Sequence, residues 1–91
     1  HAGFRVPTGE LNDLLIGAMR VSEPPSYNGR RMKLFYASQV AVRPPLFALV
    51  VNDETLLHFS YQRYLENVIR GAYDFSGTPV RIQVRGKKEQ S

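Results

Sequence analysis

The chain has 91 residues, with 12 Lys plus Arg against 8 Asp plus Glu for a formal net charge of +4, no cysteine, no tryptophan and 43% hydrophobic content. A chain this short buries about 60–68% of the surface its unfolded form exposes, which sustains one core and excludes a multidomain enzyme. The lack of cysteine excludes a disulfide framework, a thiolate nucleophile and a Cys-rich zinc site and suits a reducing cytosol, while the modest positive charge favours an anionic partner without requiring one.

His1 to Pro7 carries little pattern and is expected to be a mobile leading linker. From Leu11 the apolar positions Leu11, Leu14, Leu15, Ala18 and Met19 follow the series of one helix face. Thr8 is the expected N-cap, with Glu10 and Asp13 suited to the positive end of the helix dipole. Pro24 and Pro25 end the helix, because the residue before a proline is pushed out of the α region, and Asn28-Gly29 supplies a turn. From Arg30 the period becomes two: Met32, Leu34 and Tyr36 are expected inward, and Arg31, Lys33 and Phe35 outward, as a strand with a basic outer face.

Val40 to Pro45, with Arg43-Pro44-Pro45, is expected to connect this strand to Leu46–Val51, which is apolar on both faces as a central strand would be. That run is too short to span a bilayer, and no basic-then-apolar leader opens the chain. After Asn52-Asp53-Glu54-Thr55, a short turn over Leu56 and Leu57 is expected. A second helix follows, capped by Ser60, with Tyr61, Tyr64, Leu65, Val68, Ile69 and Ala72 on one stripe. Ser76-Gly77-Thr78-Pro79 breaks the chain. Val80, Ile82 and Val84 then alternate with Arg81, Gln83 and Arg85 in a last strand, and residues 86–91 form a basic tail with Lys87 and Lys88.

The order predicts an α+β fold, α-β-β-α-β, in which a hairpin is followed by a right-handed crossover through the second helix to a third strand. Both helices cover one face of a mixed three-stranded sheet. The other face, with an apolar central strand, has no remaining element to cover it, so another domain or molecule is the expected cover.

Most chemistry fails on inventory. A P-loop needs a glycine, four residues, then Gly-Lys-Ser/Thr, and the glycines at 3, 9, 17, 29, 71, 77 and 86 do not provide it. Gly86-Lys87 lacks both the upstream glycine and the hydroxyl residue. His1 and His58 have no partner at metal-ligand spacing, so His58 is read as a packed or partly exposed side chain, and Asp53 and Glu54 as helix caps. The tyrosines are read as core packing, since only Phe35 projects from the expected outer face of the first strand as a stacking platform. No two glycines stand three apart, so the Gly-x-x-Gly clamp with which KH domains hold nucleotide phosphates cannot be built.

Several longer stretches point further. Arg5-Val6-Pro7-Thr8-Gly9-Glu10-Leu11-Asn12, Tyr36-Ala37-Ser38-Gln39, Arg43-Pro44-Pro45, Val51-Asn52, Ser60-Tyr61-Gln62-Arg63-Tyr64-Leu65-Glu66-Asn67 and Gly77-Thr78-Pro79-Val80-Arg81 stand in the order and spacing of one bacterial family. From about Arg5 to Arg85 the chain resembles the C-terminal KH-like domain of the double-GTPase family Der, also called EngA. Ser38 and Leu46 stand where that family usually has threonine, and Gly71 where it has a charged helix former.

The resemblance implies a type II-like KH topology and a domain spanning 8–85. It also implies a cytoplasmic parent with two GTPase domains, which hold the GTP and magnesium, acting in assembly of the large ribosomal subunit. The chain itself is then expected to be non-catalytic, monomeric in isolation and without cofactor or membrane span. Its open sheet face, with Arg31, Lys33, Phe35, Arg81, Gln83 and Arg85, is expected to dock on the GTPase domains and relay nucleotide state. The alternative is direct binding of ribosomal RNA by Arg30 to Lys33 and the tail residues Lys87 and Lys88.

Overall fold

Helix α1 (Thr8–Val21) forms on the expected face and buries Leu11, Leu15 and Ala18. In this computed structural model, which describes residues 5–75 and 77–87, the helix begins one residue early. Pro7 is the N-cap, in extended backbone, and its carbonyl accepts from the Leu11 amide at 3.0 Å. Thr8 is thereby drawn into the first turn, and no side chain caps the helix. Of the expected leading linker, residues 1–4 lie outside the described residues, and Arg5 to Pro7 lead directly into the helix. Val6 is only 2% exposed, and its amide donates to Gln39 Oε1 at 2.6 Å.

After the two prolines, β1 (Ser26–Tyr27) and β2 (Arg30–Arg31) pair as a small antiparallel hairpin. Asn28 and Gly29 both take positive φ, 54° and 74°, as a two-residue turn matched to strand twist demands. Arg31 and Lys33 therefore do not lie in the main sheet. The Asn52 side chain holds this segment, accepting from the Lys33 amide at 2.8 Å and donating to the Arg31 carbonyl at 3.2 Å.

The main sheet has the order β3 (Leu34–Ala41), β4 (Leu46–Val51), β5 (Arg81–Gly86), antiparallel across the first pair and parallel across the second. The first strand thus runs through Val40, expected in the connection. A register shift between Leu34 and Tyr36 inserts a bulge that reverses the two-residue period. Beyond it Ala37 and Gln39 point inward, while Tyr36, expected inward, is 54% exposed. The central strand resolves cleanly: Phe47, Leu49 and Val51 are fully buried and Leu46, Ala48 and Val50 only partly so.

Asp53 caps as expected. Its Oδ1 accepts from the amide and hydroxyl of Thr55 at 2.9 and 2.6 Å, which, with Arg30 nearby, holds the carboxyl below its ordinary range. A 3₁₀ turn (Glu54–Leu56) leads to α2 (Phe59–Tyr73), which buries Tyr61, Leu65 and Ile69. Its N-cap is His58 rather than Ser60. Both helices join the inward residues of the sheet in one core, in which Phe47 and Phe75 meet edge to face with centroids 6.2 Å apart.

The tyrosines of α2 do more than fill that core. Tyr61 Oη donates to the Ser22 carbonyl at 2.6 Å, at the C-cap of α1, and Tyr64 Oη to the Ala18 carbonyl at 2.8 Å, which also accepts from the Ser22 amide at 3.0 Å, so both hydroxyls tie α2 to the end of α1. Burial, then the neighbouring Tyr64 and Glu23, push the Tyr61 hydroxyl up to about 12. Burial and Glu10 raise Tyr73 as well. A raised pKa means the folded state holds its proton longer. The stability these groups lend is therefore complete below their ordinary value of 10.0 and lost as pH rises above it, for Tyr61 as pH climbs toward about 12. Alkaline unfolding followed by circular dichroism should fall across that window, and Tyr61→Phe should flatten the decline.

Gly71 sits in the last turns of α2 with nothing within 4 Å of where a Cβ would project. Gly71→Ala is expected to raise stability by about 1 kcal/mol, measured as a higher denaturant midpoint, because the backbone entropy of glycine is removed at no steric cost.

Candidate functional site

With the helices on the Phe47, Leu49 and Val51 side, the opposite face of the sheet carries no layer from the described residues. Its register sets three rows across the strands: Arg81, Leu46 and Ala41; Gln83, Ala48 and Ser38; Arg85, Val50 and Tyr36. Arg81, Gln83 and Arg85 share this face because in-register parallel neighbours point the same way, and their partners Leu46, Ala48 and Val50 turn away from the core. The result is an apolar median along β4 with two guanidinium groups on one flank and the Tyr36 ring on the other. Phe35, at the bulge, is 41% exposed.

The remaining candidates stand elsewhere. Arg30 pairs with the partly exposed Asp53 and Arg31 with the exposed Glu23, each at 3.0 Å, and such surface pairs contribute little to stability. Lys33 lies beyond the last β3–β4 pair, level with Asn52. Lys87 extends β5, its amide donating to the Val51 carbonyl at 2.8 Å, and Lys88 lies outside the described residues. The expected single basic face is therefore divided. Arg81, Gln83 and Arg85 form one group, while Arg30, Lys33, Asp53 and Gly86 border a separate cleft at the C-terminal ends of β4 and β5.

Gly86 needs to be glycine at this point. A Cβ there would stand 2.9 Å from the Glu54 amide nitrogen, and the Gly86 amide donates to Glu54 Oε1 at 2.9 Å. Glu54 thus ties the 3₁₀ turn to the end of β5 rather than capping it. The sequence reading missed Tyr36 as an outer residue, because a bulge leaves no trace in a two-residue period.

Two helices on one face of a mixed sheet, joined in the course α-β-β-α-β with parallel outer pairing, define an α+β domain of the KH-like class. The family model described as KH-domain-like of EngA bacterial GTPase enzymes, C-terminal, matches residues 5–85, and the chain belongs to that family. Among curated relatives, the GTPase Der of Limosilactobacillus fermentum is 52% identical over 88 residues, which is 97% of this chain and 20% of that protein. The GTPase Der of Leuconostoc citreum is 50% identical over 84 residues, covering 92% of this chain and 19% of the relative. That of a Geobacillus species is 50% identical over 88 residues, covering 97% and 20%. The chain therefore spans about one fifth of the length of the proteins it matches.

Proposed function

We propose that this chain is the interaction module of a GTP-binding ribosome-assembly protein of the cytoplasm. Its outer sheet face docks on the GTPase domains of the same polypeptide and relays their nucleotide state to assembly of the large ribosomal subunit. GTP and magnesium belong to those domains. The observation that carries the reading is the uncovered apolar median of β4, Leu46, Ala48 and Val50, flanked by Arg81, Gln83 and Arg85. A sheet with one face packed by helices and the other apolar and open fits a second layer, and the relatives' greater length leaves room for one. The test is to add the isolated GTPase domains, with GDP or a GTP analogue, to the isotope-labelled chain. Amide signals of β4 and β5 should shift, with an amplitude that depends on the nucleotide; shifts confined to other surfaces reject this face.

A second reading, direct contact with ribosomal RNA, draws on Lys33 and Lys87, which stand on either side of the Val51 end of β4 and have no ion pair among the described residues. Binding through phosphates would weaken steeply as salt rises. Affinity for ribosomal RNA that is unchanged by salt would exclude it.

A further inference from the structure

The sheet has two free edges, and the fold treats them differently. Along β3 the edge is filled. The Asn12 side-chain amide donates to the Ala37 carbonyl and accepts from the Ala37 amide, both at 2.8 Å, and Arg5 Nη1 donates to the Gln39 carbonyl at 2.9 Å. Backbone groups there have been given the partners a neighbouring strand would supply.

Along β5 the edge has a gap. The Arg81 amide donates to the Pro45 carbonyl at 3.2 Å and the Lys87 amide to the Val51 carbonyl at 2.8 Å. Parallel pairing alternates, so the backbone groups of Arg81, Gln83 and Arg85 face β4, and those of Ile82, Val84 and Gly86 face outward. Glu54 holds the Gly86 amide at 2.9 Å, and Gln62 Nε2 reaches the Ile82 carbonyl only at 3.4 Å. Between them, neither the amide nor the carbonyl of Val84 has a partner among the described residues.

Beside the gap lies a cleft between α2 and the start of β5, bordered by Phe59, Arg63, Arg70, Pro79 and Arg81. None of the three arginines has an ion pair among the described residues, and Arg63 lies over the Phe59 ring at 5.5 Å. The carboxylate in the cleft, Glu66, is engaged by Gln62 Nε2 at 3.3 Å.

We propose that the free edge of β5 and this cleft take up an extended acidic peptide segment as a fourth strand. A peptide backbone alternates donors and acceptors and so meets both the amide and the carbonyl of Val84; the phosphates of a nucleic acid offer acceptors only and leave the carbonyl unmet. Side chains of an added strand alternate between the two faces. Acidic residues on the helix side meet Arg63 and Arg70, and those on the outer side meet Arg81. The edge adjoins the outer face offered to the GTPase domains and shares Arg81 with it, but its Val84 backbone bonds and the cleft arginines Arg63 and Arg70 lie off that face, so either assignment can fail without the other.

The test titrates the isotope-labelled chain with a short peptide that alternates glutamate with valine and threonine. The Ile82 and Val84 amide signals should shift, and hydrogen exchange at Val84 should slow by about tenfold or more as the new bond forms. The double variant Arg63→Glu with Arg70→Glu, at two exposed positions, should weaken binding by about tenfold or more. A peptide N-methylated at alternate residues, on the side facing β5, should not bind. Equal binding of the methylated peptide, or shifts that spare β5, would overturn the proposal. So would single-stranded oligouridylate moving the same amides at lower concentration than the peptide, which would assign the cleft to nucleic acid.

Discussion

Asn12→Leu is expected to destabilise the domain by about 2–4 kcal/mol, because a buried or half-buried backbone group left without its partner costs about 1–3 kcal/mol. One side chain serves three backbone groups. Asn12 Nδ2 donates to the carbonyls of Thr8 and Ala37, and Oδ1 accepts from the Ala37 amide, each at 2.8 Å. Leucine preserves the bulk and removes every one of these bonds, so the loss reads polar pairing rather than a cavity. Asn12→Asp keeps the acceptor, loses the donor and sets a charge against a carbonyl; its denaturant midpoint should also fall. An Asn12→Leu midpoint equal to that of the parent chain would show that water replaces these bonds at no cost. The same variant reopens the β3 edge, so it should also associate at concentrations where the parent stays monomeric.

The second large effect concerns docking. Arg81→Glu combined with Arg85→Glu should leave the fold intact, with stability within about 0.5 kcal/mol, because both side chains are exposed and neither has an ion pair among the described residues. In the full-length protein the same pair should weaken contact between the sheet face and the GTPase domains by about tenfold or more, since charge reversal at a complementary rim turns attraction into repulsion. Small-angle scattering with each nucleotide, beside sedimentation with large ribosomal subunits, separates the roles. The docking reading requires that nucleotide-dependent compaction is lost. Compaction unchanged with subunit binding abolished would transfer the two arginines to the RNA reading.

Those two arginines were visible in the sequence because Val80 to Arg85 keeps an unbroken alternation, and the structure leaves it unbroken. The helices were equally legible: Leu11, Leu15 and Ala18, and Tyr61, Leu65 and Ile69, are spaced for one face and are the residues buried. Where reading failed, the cause lay in contacts between distant segments. Asn52 holds Arg31 and Lys33 out of the sheet from about twenty residues away in the chain, and the bulge at Phe35 reverses which side Tyr36 shows. Neither leaves a local periodic signal. The two faces of Leu46–Val51 could not be told apart either, because both are apolar; only the helices packed against Phe47, Leu49 and Val51 distinguish them. The division of the basic residues into two groups follows from the same events.

One such distant contact bears on how movement reaches this domain. Among the described residues, the chain ahead of α1 is sewn to β3 at Gln39: the Val6 amide is held by the Gln39 side chain and the Gln39 carbonyl by Arg5, at 2.6 and 2.9 Å. Gln39 lies opposite Phe47 on the central strand, and Phe47 lies opposite Ile82. A pull on Arg5 or Val6 should therefore pass through Gln39 to all three strands of the sheet, because one row of paired residues joins them.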